Sequence, residues 1–136
     1  MSIPLAQRAG APEFVPFPGE HHGIEWEPLT ADHHVGLAAL FARMEARDNP
    51  PYRTSSDEVE EMLSSASNWR GLVGIARRGI AAGRLVAFAQ VILRFPGRVE
   101  CVCIGGVDPD FRRIGLGSAI VDWQEGTARQ MLARVE

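Results

Sequence analysis

Arg112, Arg113, Gly115, Gly117 and Ser118 stand between an apolar, strand-like run and an amphipathic, helix-like one. Their types and spacing suit the binding of phosphate. A helix starting near Leu116 has first backbone N–H groups with no intrahelical partner, and its dipole makes that end partly positive. Such an end cradles phosphate oxygens. Glycine lets the main chain approach an anion with no Cβ in between, and arginine adds charge in a bidentate fork. A site for a phosphorylated ligand is therefore expected between Arg112 and Ser118. Two common phosphate loops do not fit. A P-loop needs a lysine after its second glycine, and the chain contains no lysine. The dinucleotide pattern Gly-x-Gly-x-x-Gly is not spelled by the glycines from Gly105 to Gly117.

The other reactive side chains are sparser. Cys101 and Cys103 lie two apart in one apolar run. Neighbours on the same face of one strand are poorly placed for a disulfide, so both are expected as free thiols in a reducing, cytoplasmic setting. His21 and His22 have no third ligand at usable spacing, and no metal site is expected. His33 and His34 have no carboxylate at a telling spacing, and are expected to face solvent or pack locally. With 136 residues, 46% of them hydrophobic, the chain can bury one core. A net charge of −3 does not point to nucleic acid. No apolar run approaches bilayer-spanning length, and no signal peptide is read at the start.

The elements that must position these residues follow from periodicity. Residues 1–22, with Pro12, Pro16 and Pro18, predict a flexible Pro/Gly-rich arm, and residues 23–136 a single domain. Gly23 to Leu29 predicts a short edge strand holding Pro28. Thr30-Ala31-Asp32 caps a helix whose apolar positions Val35, Leu37, Leu40, Phe41 and Met44 recur at helical spacing. Asp48-Asn49-Pro50-Pro51 stops it. Ser55 and Glu58 form a capping box for a second helix running to about Ala66. Three apolar strands follow, at Trp69–Ala76, Leu85–Leu93 and Val99–Val107, with a turn at Phe95-Pro96-Gly97 between the last two. The Leu85–Leu93 run is apolar enough to be covered on both faces. The order is β-α-α-β-β-β-α, an α+β layered class with a mostly antiparallel sheet flanked by helices.

The strand ending in Val107-Asp108-Pro109, the spacing Arg112-x-x-Gly115-x-Gly117 and the run Ser118 to Trp123 resemble motif A of the GNAT superfamily of N-acetyltransferases. The likeness spans about residues 23–136, and its specific part Cys101 to Trp123. The segments Asp48 to Tyr52 and Val121 to Gln124 are further similar to the N-terminal unit of a tandem actinobacterial GNAT protein. The resemblance implies acetyl-CoA as cosubstrate and no metal. It places the pyrophosphate on the N–H groups of Arg113, Ile114, Gly115, Leu116, Gly117 and Ser118, with charge from Arg112 and Arg113. The end of the strand, Gly105, Gly106 and Val107, would serve the pantetheine arm and polarise the acyl carbonyl. The loop between the first two helices helps form the acceptor pocket in this family, which puts Asp48, Asn49, Tyr52 and Arg53 beside an amine of a small molecule or peptide.

For catalysis the likeness points to base positions that Cys103 and Cys101 occupy here. A thiol of ordinary pKa is a mediocre base for an ammonium. Glu100 is the nearest carboxylate, and a β-bulge would be needed to bring it onto the cysteines' face. The family's usual acid is a tyrosine beyond the next strand, whereas the one tyrosine here is Tyr52. The family fold also continues past this helix, so the C-terminal half of a GNAT domain is expected to be missing. A fragment of a longer protein, a sheet completed by dimerisation or strand exchange, and a naturally short form all satisfy that expectation. Two functions stay open: an acyl-CoA-dependent N-acyltransferase, or its cofactor-binding half, and a non-catalytic acyl-CoA-binding or interaction module.

Overall fold

The computed structural model describes residues 15–19, 23–64, 68–94 and 100–134. The expectations for most of the N-terminal arm, His21-His22, the end of the second helix and the Phe95–Gly97 turn lie outside the described residues. Four strands, β1 (Ile24–Pro28), β2 (Asn68–Ala76), β3 (Leu85–Arg94) and β4 (Glu100–Val107), form one sheet in sequence order. Every pairing is antiparallel. The helices are α1 (His34–Asp48), α2 (Ser56–Ser64) and α3 (Leu116–Ala133). The element order is the expected one. Pro28 ends β1, an edge of the sheet among the described residues, where its missing N–H costs no ladder bond.

The sheet has helices on both faces. From α1 and α2, Leu37, Leu40, Val59 and Leu63 pack on Val73, Ile75 and Phe88. From α3, Ile120, Trp123 and Met131 pack on Leu72, Ala87, Ala89, Val91 and Leu93. From Ala87 to Leu93 the odd residues of β3 face α3 and the even ones α1 and α2, while a register shift at Gly74/Ile75 reverses the order at Leu85 and Val86. Nearly all of the strand is buried and its sequence reads as one apolar run. Residues 15–19 lie against α3, with the Phe17 and Trp123 rings 6.2 Å apart.

Local chemistry sets the helix ends. Thr30 begins a 3-10 turn (Ala31–His33) that leads into α1, and its Oγ1 accepts from Asp32 N at 3.3 Å. His33 Nδ1 accepts from Thr30 N at 3.0 Å while Nε2 lies 2.9 Å from Glu27 Oε1. With Nδ1 accepting, Nε2 carries the proton and donates to the carboxylate. Glu27 of β1 is thus the partner the sequence did not reveal. His34 reaches Ser56 at the head of α2. The Ser55–Glu58 capping box forms as expected, with both reciprocal bonds present. Asn49 ends α1 in the left-handed region at φ 46°, a conformation asparagine tolerates.

Candidate functional site

The turn between β4 and α3 is anchored from below by a buried carboxylate. Asp108 accepts from Asp110 N at 2.9 Å, capping a 3-10 turn (Pro109–Phe111), and from Arg43 Nε of α1 at 2.6 Å. Arg43 also donates to Leu85 O at 2.7 Å, and Asp108 N donates to Val86 O at 2.7 Å. One residue therefore ties the turn to β3 and α1. A carboxylate is tolerated at such a buried position only when it is paired and hydrogen-bonded in this way.

Above that anchor the backbone becomes unusual. Arg113 has φ 66° and Gly115 φ 91°, both left-handed. Gly115 is the N-cap of α3 and supplies no side-chain cap, so Ser118 is not the cap. The first helical bond runs from Ala119 N to Gly115 O at 3.1 Å. The N–H groups of Leu116, Gly117 and Ser118 thus have no carbonyl four residues back within the helix. An ideal Cβ on Gly117 would meet no heavy atom within 4 Å. The helix end is open where an anion would approach. A glycine N-cap in place of a side-chain cap costs only roughly a few tenths of a kcal/mol. Burying Leu116, Ile120, Trp123 and Met131 contributes roughly 1.5–3 kcal/mol each, so packing outweighs the bare end and holds it in place.

Arg112 does not point freely at this end. It makes a bidentate pair with Asp48 at 2.7 and 2.8 Å, and its Nε donates to Val107 O at 3.2 Å. The guanidinium holds the Asp48 carboxyl below its ordinary range, and Asp48 raises Arg112 in turn. Arg113 is exposed and makes no ion pair among the described residues. Of the two arginines, Arg113 is the one whose charge is available to a ligand.

β4 is an edge of the sheet among the described residues. Its pairing with β3 runs without a register shift from Arg94↔Glu100 to Ala87↔Val107. Because Asp108 N bonds Val86 O, antiparallel alternation turns the main-chain groups of Val107, Gly105 and Cys103 away from β3. Gly106 turns toward β3 instead, and its missing Cβ admits Met44 Sδ of α1, which would otherwise lie 2.6 Å away. Gln124 of α3 donates from Nε2 to Ile104 O at 2.8 Å and pins the helix to this strand.

A cavity of about 740 Å³ opens on the α1–α2 face of the sheet. Its floor carries Phe88, Gln90, Ile92 and Arg94 of β3, and it reaches the edge strand at Cys103, Ile104 and Gly105. Phe41, Tyr52, Trp69 and the carboxylates Glu58 and Glu61 complete the wall. Of the four residues expected beside an acceptor, Tyr52 lines this space. Asp48 is bound to Arg112. Arg53 is bound to Asn49 Oδ1 at 2.8 Å and Pro50 O at 2.9 Å, so this pair shapes the loop. Glu45, buried in α1, holds the same loop by accepting from Thr54 N at 2.8 Å.

The unbroken β3–β4 register leaves no bulge to turn Glu100. It shares the Arg94 and Gln90 face, the cavity's face, and is exposed at the start of β4. The cysteines take the other face, where Cys101 Sγ lies 3.8 Å from Ala128 O of α3. Burial pushes both thiols up, and Cys101 is raised further by Cys103. Both are free and stay protonated near neutrality. Gln90 and Trp69, legible in the sequence only as parts of apolar strands, both line the cavity. A lone glutamine inside an apolar strand was the available signal for the first.

No protein-family model and no curated protein matches the chain significantly. Solved structures do. The ribosomal-protein-alanine N-acetyltransferase from Brucella melitensis biovar Abortus aligns with TM-score 0.58 and 21% identity, over 80% of this chain and 74% of that one. A GCN5-related N-acetyltransferase from Sphaerobacter thermophilus gives 0.60 and 24%, over 83% of this chain and 35% of that one. A predicted acetyltransferase from Clostridium acetobutylicum, solved with acetyl-CoA, gives 0.61 and 12%, over 79% and 75%. From β1 through the bare helix end to α3, the chain has the fold of the GNAT N-acetyltransferases.

Proposed function

We propose that the chain binds an acyl-CoA, acetyl-CoA in the first instance, at the start of α3 and transfers its acyl group to an amine in the α1–α2 cavity. One observation carries the proposal: the cavity and the outward edge of β4 meet at Cys103–Gly105, and the same strand leads directly to the bare helix end. Diphosphate oxygens would accept from the N–H groups of Leu116, Gly117 and Ser118, with Arg113 adding charge. Ile114 and Gly115 shape the turn, and Arg112 fixes it to α1 through Asp48. The pantetheine amides would pair with the edge groups of Gly105 and Val107. The thioester carbonyl then lies beside the cavity, within reach of an edge N–H that polarises it.

In the transfer, an ammonium loses a proton to a base and its nitrogen attacks the thioester carbon. The C–S bond breaks, the nitrogen releases its second proton to solvent as the amide forms, and the coenzyme thiolate takes up a proton from solvent. The base is drawn from the carboxylates on the cavity's face. Glu58 and Glu61 line it, and Glu100 stands beyond its described lining. The neutral thiols at Cys101 and Cys103 supply no base, an observation that favours the second reading, a module that binds acyl-CoA without turning it over. Free cysteines suit a reducing compartment, and cytoplasmic placement is part of the proposal.

Calorimetric titration with acetyl-CoA and desulfo-CoA, followed by a thiol-release assay on a panel of amines, tests both readings. Saturable binding with release of free CoA is the expected result. Binding with no release from any amine leaves the module reading alone, and no binding at millimolar coenzyme overturns both.

A further inference from the structure

The cavity floor contains an anomaly. Gln90 is 1% exposed and sits in the middle of strand β3, apolar but for Gln90 from Leu85 to Leu93. Its Nε2 donates to Met62 O of α2 at 3.3 Å. A carbonyl can only accept, so this bond fixes which way the amide faces. Gln90 Oε1 is then a buried acceptor with no hydrogen-bond partner among the described residues. Buried acceptors without donors are rare in native proteins, and each calls for an explanation.

The surrounding wall supplies one. Phe41, Tyr52, Trp69 and Phe88 give it four aromatic side chains among the described residues, with the Phe41 and Phe88 rings 5.2 Å apart. Among the described residues Glu58 and Glu61 are its two carboxylates, and Arg94 at the end of β3 sets a positive charge against them. A ligand with several ammonium groups needs more anions than this wall offers. One ammonium on an apolar, ring-sized body matches it. Aromatic faces attract a cation and stack on a ring, and the two carboxylates offset a single charge.

We infer that the acceptor is a monocationic amine carried on an aromatic or comparably apolar body, with its N–H directed to Gln90 Oε1. The inference rests on the transfer reading above, which names an amine without saying which class. Gln90 is a positioning residue: it orients the nitrogen toward the β4 edge at Ile104 and Gly105 and exchanges no proton.

Equilibrium titration of 2-phenylethylamine, putrescine and a multiply charged aminoglycoside, with acetyl-CoA absent, tests the cavity apart from transfer. Thiol release from the same amines then tests the reaction. The arylalkylamine is expected to bind at least about tenfold more tightly than either polycation. Gln90→Met is expected to weaken its binding, and raise its KM, about tenfold, with kcat within about threefold. The same variant loses the long Nε2–Met62 O bond but also removes an unpaired buried acceptor, so its melting temperature should change little. A purely structural glutamine would lower the melting temperature and leave KM alone. Preference for the polycations, or equal binding by parent and Gln90→Met, overturns the inference. Binding of the arylalkylamine without thiol release upholds it and counts against the transfer reading instead.

Discussion

Gly117 separates stability from binding more cleanly than any other residue at the helix end. No atom lies within 4 Å of where its Cβ would project, so the fold makes no demand for glycine there. A helix ordinarily gains roughly 0.5–1 kcal/mol from replacing an interior glycine by alanine. Conservation of the parent's melting temperature, or a rise, is therefore expected in Gly117→Val, together with a loss of acetyl-CoA affinity of about a hundredfold as the side chain fills the anion's approach. Thermal melting and calorimetry on the one variant read both quantities. Unchanged affinity would move the diphosphate elsewhere. Arg112, Gly115 and Gly117 were legible because their meaning is local: a strand, a turn and a helix start within a dozen residues. Gln90 with Met62, and His33 with Glu27, were not, because each contact depends on strand register and on which helix lies above. The division between Arg112 and Arg113 was equally hidden, since Asp48 lies far off in the sequence and only folding brings it to Arg112.

Between elements, the Asp48–Arg112 pair joins the end of α1 to the turn before α3. The guanidinium lowers the carboxyl's pKa in the folded chain relative to the unfolded one. The pair's contribution is thus present above the ordinary carboxylate range near 3.9, and is lost as pH falls through the lowered folded value. Both groups are exposed, so the effect is local and screened by salt. A carbon-detected titration should find the Asp48 carboxyl below the ordinary range in the parent and back within it in Arg112→Ala. Identical titrations would deny the link. Helix and strand identities were readable because caps, prolines and apolar periodicity agree along the chain. The anchoring by Asp108 and Arg43 was not, since an ion pair between a buried carboxylate and a half-buried arginine leaves no periodic trace.

Across the whole molecule, the sheet presents β4 as an edge among the described residues, half exposed along its length. An unpaired strand edge recruits other chains. The 136-residue chain is expected to scatter light as dimers or larger species at micromolar concentration, dissociating when acyl-CoA occupies the edge. A monomer with and without coenzyme would show the edge protected in some other way. The layered order β-α-α-β-β-β-α was legible as a whole. The wall of the α1–α2 cavity beyond Tyr52 was not, because it is drawn from five separate elements and a loop.

The most direct test of the account is a structure of the chain with acetyl-CoA at high resolution. Diphosphate oxygens within hydrogen-bond distance of the N–H groups of Gly117 and Ser118, with the thioester beside Gly105, is the predicted result. A diphosphate seated on any other element, or a crystal soaked at millimolar coenzyme with none at the start of α3, would contradict it.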